Sequence, residues 1–341
     1  MKPDLVYKRY SSAIYHELKS ILDNKSDALY CMMRYQMGFE DDNSIANIRR
    51  IDFRPYDITS IMCLLTCELL SGDYEAGIPG AIALEFTNQF MTTHKEVLLD
   101  NKAERFEESV NRKWGFGQAI NVGDGFYAMA RTSLFGLVDE ISMADTIVAF
   151  NLLDEACIEM CEGQYLDLDC RNNFNVTEST YLKIAELKSG SIMGCSMGLG
   201  ALAANVGEDI ARILTMSGQR FGIAYQIVND ILAIKRSEDD LMQAELYFKD
   251  RHLFPCVIML EKDSYTKEKW FRSLYSKRIL DPRDVTQLIK NINYSDAIQI
   301  SYNRAQSMID SGLAILKDAH MSNDAIAGFT AKVVPLIMER D

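Results

Sequence analysis

The sequence is poor in proline and in basic charge relative to acidic charge. Its 341 residues include only 6 prolines, and 36 lysines and arginines stand against 49 acidic residues, which gives a formal net charge of -13. This balance argues against a nucleic-acid partner or an anionic membrane surface as ligand, because both need a basic face. Apolar residues make up 48% of the chain, so a disordered or disulfide-stapled class is also excluded.

Metal-binding spacings and export signals are also absent from the sequence. The eight cysteines form no C-x-x-C pair and show no zinc-ligand spacing with the four histidines. No apolar leader follows Met1, so we expect a reduced, cytoplasmic compartment. The longest uncharged stretch, residues 189–207, is rich in glycine and serine, which favours a tightly packed helix over an integral membrane segment.

The remaining pattern predicts an all-α protein. No proline lies between Pro79 and Pro255, and proline costs about 3 kcal/mol inside a helix. Apolar residues recur at spacings of three and four, as in Phe221, Ala224, Ile227 and Val228, whereas alternating strand patterns are scarce. No flexible linker divides the chain. We therefore expect one large helical bundle that forms a single domain over residues 1–341.

Two of the predicted helices carry carboxylates on otherwise apolar surfaces. The first runs from about Pro79 to Asp100 and places polar side chains on one face, namely Glu85, Asn88, Thr92, Glu96 and Asp100. The second runs from Phe221 to Arg236. It places Gln226 and Asp230 one turn apart, with Asn229 beside them.

If the two faces look at each other, they line a polar cleft. Bundle enzymes build metal sites in this way, and Mg²⁺ prefers hard oxygen ligands together with substrate phosphates. The alternative is a pair of ordinary amphipathic helices with solvated polar stripes.

Several segments resemble trans-isoprenyl diphosphate synthases, the polyprenyl synthetase family. The stretch around Gln226, FGIAYQIVNDILAI, is similar to the family's second Asp-rich helix, FG-x-x-FQ-x-x-DDILD. Three more segments agree in order and spacing: Arg54-Pro55 with CLLTCELLSGD, Trp114 to Ala130, and CEGQYLDLD followed by Glu186 to Ser189. The resemblance covers roughly residues 49–255 and implies a bundle of the isoprenoid synthase type.

The resemblance also implies a chemistry. In that family two DDxxD motifs hold Mg²⁺ against an allylic diphosphate, and the metals neutralise the leaving group as the C–O bond ionises. A pocket of Lys and Arg holds isopentenyl diphosphate, whose double bond attacks the cation. In relatives that are terpene synthases, the cation's own chain attacks instead.

The sequence departs from the family pattern at these motifs. The first DDxxD falls on KEVLL at residues 95–99, so a lysine stands at its first position. The second reads NDILA, and only Asp230 survives. The family's GK falls on Arg50-Ile51, and its RRG falls on Glu104-Arg105-Phe106. The lysine that binds isopentenyl diphosphate in the family is therefore missing, which argues against ordinary chain elongation.

The resemblance assigns roles to particular residues. The catalytic residues are expected to be Asp230, Glu96 and Lys188. The substrate-binding residues are expected to be Lys95, Arg54, Arg105, Gln164, Gln226 and Phe90. The ligands of a weakened Mg²⁺ site are expected to be Glu96, Asp100, Asn229 and Asp230.

Two of these assignments carry their own physical argument. Lys95 would act as a fixed cation that replaces one metal and contacts the diphosphate directly. Phe90 is the fifth residue before the first motif, where a bulky aromatic side chain closes the elongation tunnel in the family. If a prenyl chain binds, we expect it to be short, while the alternative is that Phe90 is simply core.

Two functions remain open. One is an enzyme that acts on a short allylic prenyl diphosphate, passing the prenyl group to an unusual acceptor or cyclising it. The other is a catalytically silent subunit that pairs with an active prenyl diphosphate synthase. Either reading predicts a homodimer or a heterodimer. Cys63-x-x-x-Cys67 and Cys157-x-x-x-Cys161 resemble motifs of non-catalytic small subunits, although buried cysteines at such spacing are also common in cores.

Overall fold

The structure is a computed structural model. It describes residues 3–39, 57–98, 109–171, 173, 175–237, 248, 252–264, 270–277 and 280–339. Every regular element in these ranges is helical, which confirms the predicted all-α class. In this part of the chain no helix has the length and apolar character needed to cross a membrane.

The described part of the chain contains fifteen α-helices. The first six are α1 (Pro3–Asp23), α2 (Ala28–Gln36), α3 (Ile58–Ser71), α4 (Ile78–Leu98), α5 (Val110–Trp114) and α6 (Phe116–Leu134). The next four are α7 (Met143–Cys170), α8 (Glu178–Ala185), α9 (Ser191–Ala203) and α10 (Glu208–Arg236). The last five are α11 (Phe254–Ser264), α12 (Trp270–Tyr275), α13 (Pro282–Tyr294), α14 (Ala297–Asp318) and α15 (Asn323–Met338).

Three shorter turns complete the described elements. Two of them are 3₁₀ turns, Glu75–Gly77 before α4 and Phe135–Asp139 after α6. The third is a π-helical turn, Glu186–Gly190, between α8 and α9. The predicted helix from about Pro79 is confirmed as α4. The predicted helix from Phe221 is confirmed as the second half of α10, which begins earlier because Ala211 and Leu214 extend its buried face.

The chain divides into two compact units, and the first comprises Met1–Leu153 with Ser196–Arg212. Its centre is the packing of α4 along α6, where Phe86 stacks on Phe126 with ring centroids 5.9 Å apart. Asp57 caps the N-terminus of helix α3, where its side chain accepts a hydrogen bond from the Thr59 N–H at 3.0 Å. Gly72 caps the C-terminus, and its φ of 86° is the left-handed conformation that glycine adopts without strain.

The second unit comprises Asp154–Cys195 with Ile213–Asp341. Here α11 packs against α8, α12 and α14. Helix α13 begins with a capping box in which Asp281 and Asp284 satisfy each other's backbone N–H groups. The expectation of a single domain stays a prediction.

Candidate functional site

Three of the expected site residues, Arg54, Asp100 and Arg105, lie outside the described residues. The others fall on helices of the two units. Phe90, Lys95 and Glu96 belong to α4 in the first unit. In the second unit Gln164 belongs to α7, Lys188 to the π-helical turn, and Gln226, Asn229 and Asp230 to α10.

Glu96 lies near the end of α4 and is only 9% exposed. Its carboxylate accepts hydrogen bonds from the Gln36 side-chain amide, with Nε2 at 3.2 Å from Oε2 and 3.4 Å from Oε1. A buried carboxylate needs such donors, because an ionised group without partners is costly to remove from water. The neighbouring Lys95 is half-buried.

The aromatic expected at the tunnel floor is half-buried on α4. The Phe90 ring meets the His94 ring edge-on, with centroids 4.8 Å apart, and tilts against the Tyr127 ring at 5.4 Å. The His94 Nε2 lies 3.5 Å from the Asp124 carboxylate on α6. The Phe90 ring therefore packs against two aromatic neighbours, and its role at the end of a tunnel stays a prediction.

Glu85 is a buried acid whose properties the sequence did not indicate. It is 2% exposed, and its Oε1 accepts hydrogen bonds from the Ser60 hydroxyl and, at 2.9 Å, from the Asp57 N–H. Burial, reinforced by the nearby negative charge of Asp57, raises the pKa of the Glu85 carboxyl to about 8. The side chain therefore ties α4 to the first turn of α3.

The π-helical turn carries the first of the retained polar residues in the second unit. The Lys188 Nζ lies 2.5 Å from Oδ2 of Asp167 on α7, and the two side chains are about one-quarter exposed, at 27% and 24%. A Cβ on Gly163 would lie 2.7 Å from Lys188 Cγ, so only glycine lets α7 approach the turn this closely. Gln164, next to Gly163, is half-buried. π-helical turns are rare overall, but those that occur are often found at functional sites.

A second set of polar contacts joins the turn to α10. The Ser189 hydroxyl donates to Oε1 of Gln226 at 2.8 Å, and Nε2 of Gln226 donates to Oδ1 of Asp230 at 2.9 Å. The other oxygen of Asp230 accepts from the Tyr181 hydroxyl at 2.5 Å and from the Phe254 N–H at 2.9 Å. The structure thus brings Gln226 and Asp230 together, as their spacing predicted.

Asp230 is 3% exposed, and both of its oxygens already accept hydrogen bonds. The Phe254 N–H is the first of α11, so the carboxylate satisfies a donor that has no partner within its own helix. Burial and the adjacent Asp230 charge raise the pKa of Tyr181 well above its usual range, which keeps the phenol protonated as a donor. Asn229, one residue earlier, is half-buried.

Two members of this network, Tyr181 and Ser189, were not identified from the sequence. Ser189 directly follows Lys188 in the Glu186 to Ser189 segment that carried part of the resemblance, so the sequence offered a signal for it. Tyr181 lies 49 residues from Asp230, and no local pattern links the two.

The donor chemistry of the expected metal ligands suits Mg²⁺, because they offer carboxylate and amide oxygens. Among the residues that the structure describes, however, no three His, Cys, Asp or Glu side chains group in a way that would hold an ion. Glu96 and Asp230 use their oxygens as hydrogen-bond acceptors within their own units. The magnesium site stays a prediction.

The two C-x-x-x-C pairs differ in accessibility. Cys63 and Cys67 are fully buried in the first unit, where Cys63 lies near the Gly77 carbonyl. In the second unit Cys157 is buried and Cys161 is exposed. The first pair therefore lies in the core, as the alternative interpretation expected.

Comparison with known proteins supplies the relatives of this chain. It is 29% identical over 178 residues to a geranylgeranyl diphosphate synthase of Methanosarcina mazei, a match that covers 52% of the chain and 54% of the relative. It is 27% identical over 264 residues to a geranylgeranyl diphosphate synthase of Mycobacterium tuberculosis, which covers 75% of the chain and 73% of the relative. The first match thus spans only about half of that relative.

Solved structures share the fold over almost the whole chain. A geranylgeranyl pyrophosphate synthetase of the archaeon Geoglobus acetivorans superposes with a TM-score of 0.77 at 21% identity, covering 97% of this chain and 99% of that one. A polyprenyl synthetase of Streptomyces coelicolor gives a TM-score of 0.78 at 20% identity, with 98% and 99% covered. At this identity the likeness establishes the fold.

The family model described as polyprenyl synthetase matches residues 57–292, which is more than half of the chain. The four segments whose resemblance was noted in the sequence lie within or next to this range. The chain belongs to the polyprenyl synthetase family.

Proposed function

We propose that this protein is an enzyme that acts on a short allylic prenyl diphosphate. It would ionise the substrate and either pass the prenyl group to an acceptor other than isopentenyl diphosphate or let the chain cyclise. The observation that carries the proposal is the part-buried Lys188 ammonium on the π-helical turn. The chain belongs to the polyprenyl synthetase family, and its relatives include proteins named as geranylgeranyl and farnesyl diphosphate synthases.

Lys188 is suited to bind a diphosphate. Its ammonium is paired with one carboxylate, Asp167, in a partly dry environment where charge-assisted hydrogen bonds are strong. A diphosphate brings more negative charge than one carboxylate, so it competes with Asp167 for the ammonium. Gln164, half-buried one turn before Asp167, adds an amide that can donate to a phosphate oxygen.

In the first unit, α4 supplies the other candidate groups. Lys95 would contribute a fixed positive charge toward the diphosphate, and Phe90 would limit the length of the prenyl chain. Mg²⁺ would supply neutralisation of the departing diphosphate, and its expected ligands stay predictions. One of them, Asp230, already accepts hydrogen bonds from three donors.

A second function, that of a silent subunit, is favoured by a different observation. Three large apolar side chains are exposed in the first unit, on the 3₁₀ turn after α6 and the start of α7, namely Phe135, Met143 and Ile147. Large contiguous apolar patches mark protein interaction sites, and we propose that these three side chains belong to one. A second copy of the chain, or a related active synthase, is the partner that we propose for them.

One assay separates the two functions. The purified protein is incubated with geranyl, farnesyl and geranylgeranyl diphosphate, with and without Mg²⁺ and isopentenyl diphosphate, and released pyrophosphate and organic products are measured. The enzyme proposal expects Mg²⁺-dependent release that does not need isopentenyl diphosphate and that Lys188→Ala abolishes.

The absence of release from every substrate would reject the enzyme proposal. The silent-subunit proposal then expects the protein to co-elute with an active prenyl diphosphate synthase and to change the chain length of its product. A synthase whose product and elution volume stay unchanged would reject that proposal as well.

A further inference from the structure

Three residues at intervals of four, Gly222, Gln226 and Asp230, lie one above another on a single face of α10. This face meets the stretch from α8 through the π-helical turn. A Cβ on Gly222 would lie 2.2 Å from the Ser189 carbonyl oxygen, so the backbones of α10 and the turn are in direct contact. Gln226 bonds the Ser189 hydroxyl, and Asp230 bonds the Tyr181 hydroxyl.

The direction of these hydrogen bonds is fixed by Asp230. Oδ1 of Asp230 accepts a hydrogen bond from the Gln226 amide, which therefore turns its NH₂ toward this oxygen. The Gln226 carbonyl oxygen then faces Ser189, whose hydroxyl must donate to it. The Ser189 proton is thereby committed to Gln226 and is not available to a phosphate oxygen.

We infer that Gln226 and Asp230 are positioning residues, which hold the π-helical turn and so place Lys188, rather than groups that touch the diphosphate or the metal. The inference rests on the proposed function of Lys188. Asn229 and Ala233 depart from the family's metal-binding pattern, whereas Gln226 and Asp230 match it. The inference explains this difference, because Gln226 and Asp230 belong to the face of α10 that contacts the turn.

A π-helical turn needs such support. Its hydrogen bonds run from residue i to i+5, and this geometry is rare and occurs mostly as single turns within α-helices. Close contact with Gly222 and a hydrogen bond to Ser189 stabilise the turn from one side. Gly163 packs on Lys188 from the other side. Loss of one contact shifts the neighbouring ammonium, and misplacing a binding group by about 1 Å can cost on the order of a hundredfold in rate.

The inference is tested with a matched pair of substitutions at Ser189 and with one at Asp230. Ser189→Thr keeps the hydroxyl donor, whereas Ser189→Ala removes it. Asp230→Asn places an NH₂ either against the Phe254 N–H or against the Gln226 NH₂. In the first case two donors meet, and in the second Gln226 must flip and turn its own NH₂ toward Ser189.

Three quantities are measured for each variant of the full chain: the Kd for inorganic pyrophosphate, the Mg²⁺ concentration that half-saturates pyrophosphate binding, and amide hydrogen exchange of residues 186–190 without ligand. Ser189→Ala and Asp230→Asn are expected to raise the Kd and to speed exchange in the turn by about tenfold each. Both are expected to leave the Mg²⁺ midpoint unchanged. Ser189→Thr is expected to behave as wild type.

A shift of the Mg²⁺ midpoint in Asp230→Asn, with exchange in the turn unchanged, would overturn the inference and make Asp230 a metal ligand. Unchanged exchange in Ser189→Ala would overturn it as well. Wild-type protein that fails to bind pyrophosphate would reject the proposed function instead. The exchange comparison, which needs no ligand, would still decide whether this face of α10 holds the turn.

Discussion

The Tyr181 hydroxyl donates a 2.5 Å hydrogen bond to the Asp230 carboxylate, across 49 residues of sequence. The same oxygen accepts from the Phe254 N–H, so one carboxylate joins α8, α10 and the first turn of α11. Buried polar groups in proteins are generally hydrogen-bonded, and two of the donors to this carboxylate lie on other helices. Asp230 is therefore a structural centre of the second unit.

The first prediction concerns this bond. Tyr181→Phe removes the hydroxyl and leaves a buried carboxylate with one donor fewer, so we expect the free energy of unfolding to fall by about 1.5–3 kcal/mol. Urea denaturation followed by circular dichroism measures it. The control is Tyr165→Phe, because Tyr165 is 67% exposed, and its effect should stay within about 0.5 kcal/mol. Equal stability of the two variants would contradict the assigned strength of the Tyr181 bond.

The second prediction concerns the pairing of Lys188 with Asp167. Lys188→Ala should weaken binding of inorganic pyrophosphate by about tenfold or more, because one charge-assisted contact is lost. Asp167→Asn should strengthen it, because the ammonium no longer has a competing carboxylate. Calorimetric titration at low and high salt measures both changes, and the gain should shrink as salt screens the charge. Weaker binding in Asp167→Asn would show that Asp167 orients Lys188 rather than competing for it.

The helical class and the positions of α4 and α10 were predictable because apolar spacing and the absence of proline are local signals. The meeting of Gln226 and Asp230 was predictable for the same reason, since residues four apart share a helix face. Their pairing with Ser189 and Tyr181 was not, because it depends on which helices pack together. The π-helical turn was also missed, since no residue pattern in Glu186–Gly190 distinguishes it from an α-helix.

Burial and hydrogen-bond donors determine the role of a carboxylate, and helical spacing alone does not reveal either of them. Glu85 and Glu96 share the predicted polar face of α4, yet both are buried and each accepts hydrogen bonds from a different helix. The spacing predicted that both carboxylates share one face of the helix, and the cleft proposed for that face stays a prediction. The spacing did not show that Glu85 serves the start of α3, because the donors come from Asp57 and Ser60.

The third prediction concerns Phe90 and rests on the proposed function. Phe90→Ala removes a ring that lies against His94 and Tyr127, which should open space beside α4 and lengthen the prenyl chain that the protein accepts or produces. Product size is measured by mass spectrometry after incubation with prenyl diphosphates of increasing length. Phe116→Ala is the control, because that ring is exposed. An unchanged product from Phe90→Ala would reject the floor role.

The fourth prediction concerns pH and Glu85. Its pKa is raised from an ordinary 4.5 to about 8 in the folded protein, so between these values the folded state holds a proton that the unfolded state has released. The contribution to stability is complete below the lower value and is lost as the pH rises through about 8. The free energy of unfolding should therefore fall with rising pH across this window, by an amount on the order of a few kcal/mol.

Glu85→Gln tests this origin of the slope. Glutamine is neutral at every pH, and its carbonyl oxygen can still accept from the Asp57 N–H and the Ser60 hydroxyl. The variant should match wild type near pH 5 and should be more stable than wild type near pH 8, as measured by urea denaturation at each pH. The matched control is Glu140→Gln, an exposed position that should keep the wild-type slope. A slope that persists in Glu85→Gln would show that another group titrates in this window.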